Sequence, residues 1–140
     1  MLSFLDYGFK IVGGIEFQNS IYNTMIQNFK KLGLQNLMDE GRLNCLNGDA
    51  SKLSLELDEY NVFFFFDPFE GELFDKVVEG ISKSLERTPR KIYIIYITPL
   101  CQASIEKSGK FILTNQFDIM TRQRVVKVYV SKKLYEENQE

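Results

Sequence analysis

The chain has 140 residues, 44% of them apolar and 26% charged, enough for one domain with a real core and ordinary for a globular protein. Its net charge of −2 gives no electrostatic basis for broad nucleic-acid or membrane binding. The absence of histidine excludes Ser–His and Cys–His nucleophile pairs and the commonest zinc ligand, so chemistry must rest on carboxylates, backbone groups, tyrosines or a cofactor.

From the start, Met1 to Tyr7 reads as the end of a helix stopped by Gly8. Lys10 to Phe17 reads as a strand with Glu16 near its carboxyl end, and Asn19 or Ser20 as the cap of the next helix. That helix carries Ile21, Tyr22, Met25, Ile26, Phe29 and Leu32 on one stripe and stops at Gly33. Leu43 to Leu46 is a short strand, with Cys45 expected as a buried thiol. Asn47-Gly48-Asp49-Ala50 follows it, and Ser51 to Tyr60 is a polar connection with scattered leucines and room for a helical turn.

Val62-Phe63-Phe64-Phe65-Phe66 is an unbroken apolar run that ends abruptly in Asp67-Pro68-Phe69. Apolar on both faces, it predicts a central strand buried on both sides, with Phe63 to Phe66 in the core. Open α/β sheets hold their ligands beyond the carboxyl ends of such strands, which marks Asp67. Pro68 stiffens the turn and leaves its carbonyl free to accept a bond.

Gly71 then opens a helix striped with Phe74, Val77, Val78, Ile81 and Leu85, and Pro89 ends that region. Lys91 to Thr98 is a further strand, whose Tyr96 reads as packing. Pro99 fits the first turn of a short helix ending near Gly109. Phe111 to Ile119 and Arg124 to Val130, joined by a short polar turn, require an antiparallel hairpin, with Lys127 facing water. Strands alternating with helices argue for one α/β domain built on a mostly parallel sheet. It is expected over residues 1–132, with a polar tail at 133–140.

Three motifs, each at a strand's carboxyl end, carry a resemblance: Gly13-Gly14-Ile15-Glu16-Phe17, Asn47-Gly48-Asp49-Ala50 and Asp67-Pro68-Phe69. In this order the chain resembles the class I S-adenosylmethionine-dependent methyltransferases over nearly its whole length. The resemblance implies a Rossmann-like sheet and S-adenosylmethionine as cofactor. Glu16, next to Phe17, would bind both ribose hydroxyls, and Asp49, next to Ala50, would accept from the adenine amino group. Asp67 would lie against cofactor and acceptor alike. With the Pro68 carbonyl it would orient the methyl acceptor, a nitrogen in amine-modifying members, and Phe69 would wall the cleft.

The family's first strand and its acid-x-Gly-x-Gly loop are not in this sequence. The resemblance therefore implies an N-terminally truncated domain whose missing central strand would lie between the Ile11–Phe17 and Val62–Phe66 strands. Each of these would keep an open edge, a route to self-association. A non-catalytic remnant or interaction module that keeps the fold is the alternative.

Blander readings stand beside these roles. Glu16 could be a solvated strand end, Asp49 an ordinary turn residue, Asp67 a helix cap or Asx-turn, and Phe69 core. A nicotinamide dinucleotide enzyme would also place an acid at Glu16, but its glycine fingerprint is absent. The methyl acceptor is not identified by the sequence. With no bilayer-length apolar segment, no signal-peptide pattern and two cysteines far apart, a cytoplasmic location without membrane or metal partners is expected.

Overall fold

The computed structural model describes residues 1–66, 68–119 and 124–132. They fall into two compact units, residues 1–52 and the chain from Leu53 onward.

The first unit is built on two parallel strands, β1 (Val12–Glu16) and β2 (Leu43–Asn47), paired from Val12↔Leu43 to Glu16↔Asn47. A short helix, α1 (Leu2–Asp6), precedes them. The Met1 side chain lies where a Cβ on Gly14 would stand, so the glycine gives it room against β1. Between the strands run α2 (Asn19–Lys31) and a short α3 (Gln35–Asp39) that the sequence reading did not anticipate. Helix α2 begins at Asn19 itself, with Gln18 at the cap and no side-chain capping bond, so neither Asn19 nor Ser20 has the expected role. Glu16 explains the difference, because its carboxylate accepts the Gln18 N–H at 2.7 Å. Gly33 stops α2 with φ +72, a conformation that spares glycine the usual Cβ clash. Cys45 is half-buried rather than buried, and desolvation raises its thiol pKa above the ordinary value.

The second unit holds a four-stranded sheet in the order β3 (Val62–Phe66), β4 (Tyr93–Ile97), β6 (Arg124–Ser131), β5 (Phe111–Ile119). Strands β3 and β4 are parallel, while β6 runs antiparallel to both of its neighbours, which gives the anticipated hairpin. Helix α4 (Glu72–Arg87) buries Phe74, Val77, Val78 and Ile81, the stripe read from the sequence. Gly71 begins α4 with φ +65, where a side chain would be strained. Glu72 and Asp75 in the first turn and Arg87 in the last complement the helix dipole. Phe74 stacks against Phe65 and Tyr96, each ring centroid 5.1 Å away, and so ties α4 to β3 and β4.

Two 3-10 turns, Ala50–Lys52 and Leu55–Glu59, fill the polar connection. The second passes close to α4, where a Cβ on Gly80 would stand 3.4 Å from the Leu53 carbonyl. The short helix after β4, α5 (Gln102–Lys107), begins three residues beyond Pro99, so the proline belongs to the preceding turn rather than to the helix. Lys127 is half-buried and its ammonium meets the Gln102 amide oxygen on α5, instead of facing water.

The phenylalanine strand departs from expectation. Phe64 and Phe66 are 43% and 49% exposed, and Phe63 and Phe65 only half-buried. Only one face is covered, by α4, and β3 pairs with β4 alone among the described residues. The better enclosed of these two parallel strands is β4, whose Ile94 and Tyr96 are buried. Strand β1 likewise pairs with β2 alone among the described residues. These are the two edges at which the sequence reading expected a missing strand.

Candidate functional site

In the first unit the carboxyl ends of β1 and β2 are joined by polar bonds. The Asn47 amide donates to the Glu16 carbonyl at 2.8 Å, and the Gly48 N–H donates to the same oxygen at 3.0 Å. This brings the Glu16 and Asn47-Gly48-Asp49-Ala50 motifs to one end of one sheet. Glu16 is half-buried and spends one oxygen on the Gln18 N–H. A carboxylate offers about four lone-pair sites, so capacity remains for a vicinal diol. Phe17 beside it is 76% exposed, a flat apolar surface at the strand's end.

Asp49 is engaged locally. One oxygen accepts both the Ser51 N–H at 2.9 Å and the Ser51 hydroxyl at 2.7 Å, the turn role weighed above. Its other oxygen lies 4.0 Å from the Lys52 ammonium. Ala50 is half-buried and starts the first 3-10 turn.

In the second unit Asp67 lies outside the described residues. Its neighbours Pro68 and Phe69 are both half-buried, and the Phe69 ring stands 6.3 Å from Phe74, so this aromatic packs against the core of its own unit. Tyr96 is buried, as read from the sequence. Its hydroxyl accepts the Cys101 N–H at 3.2 Å and thereby pins the loop after β4, and burial pushes its pKa up.

Two residues at this sheet end were not singled out from the sequence. Thr98 has φ +57, the one positive φ among described non-glycine residues. For a β-branched side chain this stores on the order of 1–3 kcal/mol, held by Thr98 N–H to the Val125 carbonyl at 2.9 Å and Leu100 N–H to the Thr98 carbonyl at 2.9 Å. The Thr98 hydroxyl oxygen is buried without a hydrogen-bond partner. A residue before proline favours extended backbone, so nothing in Thr98-Pro99 signalled this geometry. Arg124, at the start of β6, reaches past the end of β4 to lay its guanidinium over the Phe66 ring at 4.4 Å. Its Nη1 is also buried without a partner.

No protein-family model and no curated protein matches the sequence. Solved structures do resemble it. The PH0226 protein from Pyrococcus horikoshii OT3 aligns over 94% of this chain and 76% of its own, with TM-score 0.63 and 18% identity. A candidate methyltransferase, yhhF from Escherichia coli, aligns over 88% of this chain and 65% of its own, with TM-score 0.55 and 15% identity. Among the described residues no helix is long and apolar enough to cross a membrane, and no group of three or more acidic or cysteine side chains could hold a metal ion. With parallel strands closed by an antiparallel hairpin, the chain has the Rossmann-like α/β fold of a methyltransferase.

Proposed function

We propose that this domain transfers a methyl group from S-adenosylmethionine to a nitrogen acceptor, with the part of the site not encoded in these 140 residues supplied outside them. The observation that carries this reading is the arrangement of Glu16 and the Asn47-Gly48-Asp49-Ala50 loop at one sheet end of a methyltransferase fold. The cofactor supplies an electrophilic methyl on a sulfonium. Glu16 is suited to hold its ribose through the carboxylate capacity left by Gln18. Asp49 accepts from the adenine amino group with Ala50 alongside, and Phe17 offers an apolar surface beside the ribose. Asp67 and the Pro68 carbonyl hold the hydrogens of the acceptor nitrogen and keep its lone pair on line, while Phe69 keeps water from it. No histidine is needed, because positioning and desolvation are the protein's main tasks here.

A second reading is a non-catalytic module that keeps the fold. It draws support from the engagement of Asp49 by Ser51 and from the absence of an acid-x-Gly-x-Gly loop in the sequence. Calorimetric titration of the native full-length product with S-adenosylhomocysteine separates the two. Methyl transfer predicts saturable binding that Glu16→Ala weakens by at least ~10-fold, the loss of about one charge-assisted hydrogen bond, and Asp67→Ala far less. No binding by the intact native product, or equal affinity in both variants and the parent, favours the non-catalytic reading.

A further inference from the structure

We propose that Arg124 and Thr98 form a recognition site for an oxyanion, a carboxylate or phosphate carried by the methyl acceptor. This rests on reading the domain as a methyltransferase, and it names a chemical class of substrate. Every group involved lies within the second unit.

The argument starts from the guanidinium. Stacking on Phe66 at 4.4 Å uses the flat face of the group and fixes its plane. The N–H donors lie in that plane and remain to be satisfied at its edge. Nη1 has no partner although it is buried, and a buried unpaired charged donor is among the least favourable features a fold can keep. Simple shielding of Phe66 would be served by a guanidinium with its edge in water. A planar, immobilised fork with an open donor is instead suited to accept a carboxylate or phosphate in plane.

The Thr98 hydroxyl is a second buried group without a partner, on the residue whose N–H bonds β6 at Val125, next in the chain to Arg124. It stands at the carboxyl end of β4, as Phe66 stands at the carboxyl end of β3 with which β4 pairs. A strained, β-branched residue held by two backbone bonds fits a site whose geometry is kept for a ligand. The carboxyl ends of parallel strands are where α/β sheets bind their ligands. No acidic side chain pairs with Arg124 among the described residues, so the cation is not neutralised there.

The test uses the full 140-residue chain, labelled with nitrogen-15, and follows the arginine side-chain N–H resonances by NMR. The probes are sodium acetate and sodium phosphate, titrated against sodium chloride at matched ionic strength. Saturable displacement of the Arg124 resonance by either probe supports the site. Acetate alone points to a carboxylate on the acceptor, and phosphate alone to a phosphate. Arg124→Lys keeps the charge but loses the fork and is expected to weaken binding on the order of tenfold. Thr98→Val, equally branched, is expected to weaken it as well. In both variants the loss is read from backbone amide shifts around residues 97–99 and 124–126. Displacement no different from chloride in the parent chain overturns the proposal, as does affinity that survives both substitutions. Anion binding is read without cofactor, so a failed S-adenosylhomocysteine titration would remove the methyltransferase reading and leave this result standing.

Discussion

Arg90 shows how much one side chain can organise in the second unit. Its guanidinium donates to the carbonyls of Leu57, Tyr60, Ser84 and Thr88 and to the Ser84 hydroxyl, at 2.8 to 3.2 Å. It thereby satisfies the last carbonyls of α4 and ties them to the segment entering β3. Burial draws its pKa down, yet an arginine remains charged at any physiological pH. Truncation would leave several part-buried carbonyls unpaired at once, and charge-assisted bonds are worth about 1.5–3 kcal/mol each. Since some carbonyls would recover water, Arg90→Ala is expected to lower unfolding free energy by about 3 kcal/mol. Arg90→Lys should recover only part of this, because lysine lacks the fork. Urea unfolding of the three proteins checks both statements. A loss below about 1 kcal/mol for the alanine variant would mean that water replaces the guanidinium at little cost.

At the scale of elements, α4 is the part of the second unit most fully specified by its own sequence. Phe74 is fully enclosed between Phe65, Phe69 and Tyr96. Phe74→Ala should destabilise by about 3–5 kcal/mol, measured by the same unfolding curves, with equal-sized loss of protection in α4, β3 and β4 by hydrogen exchange. The contact between α4 and the Leu55–Glu59 turn has a pH signature. Asp58 accepts two bonds from Arg87, at 2.8 and 3.2 Å, and this guanidinium lowers its pKa below the ordinary 3.8. A carboxylate depressed in the folded state adds stability above its unfolded pKa and loses it as pH falls through the folded value. Stability should therefore decline as pH drops below about 4, and Asp58→Asn should flatten that part of the profile. An unchanged profile in the variant would assign the decline to other carboxylates.

The elements differ in how legible they were. The stripe of α4 and the closing hairpin follow from period and turn chemistry. The phenylalanine run was legible as a strand but not as an edge. A side chain's pattern reports which faces are apolar, whereas exposure at Phe64 and Phe66 depends on what lies beside and above the strand. Helix α3 escaped notice because five residues carry too little periodicity to stand out. Glu16 and the Asp49 loop were legible as neighbours, since parallel pairing aligns the strand ends. Thr98 and Arg124 were not, because a positive φ before proline contradicts local preference and a guanidinium reaching from β6 to β3 is a tertiary fact.

For the whole molecule, the open edges of β1 and β3 matter most. Each strand pairs on one side only among the described residues. The exposed row on β3 is aromatic at Phe64 and Phe66, and this five-residue strand carries no charge, proline or bulge of the kind that blunts natural edges. An edge of this type offers unpaired N–H and C=O groups together with apolar surface, so it recruits another strand when none is supplied. We therefore expect the isolated 140-residue chain to self-associate with rising concentration in sedimentation velocity runs. Phe64→Lys should shift the distribution toward monomer, because a lysine on an edge strand opposes pairing and an exposed position tolerates it. Phe117→Lys is the control, since this residue is 53% exposed but lies on β5 at the far side of the same sheet. Equal suppression by both substitutions would point to general apolar stickiness or charge rather than the β3 edge. A concentration-independent monomer in the parent chain would show that the edges are protected in solution.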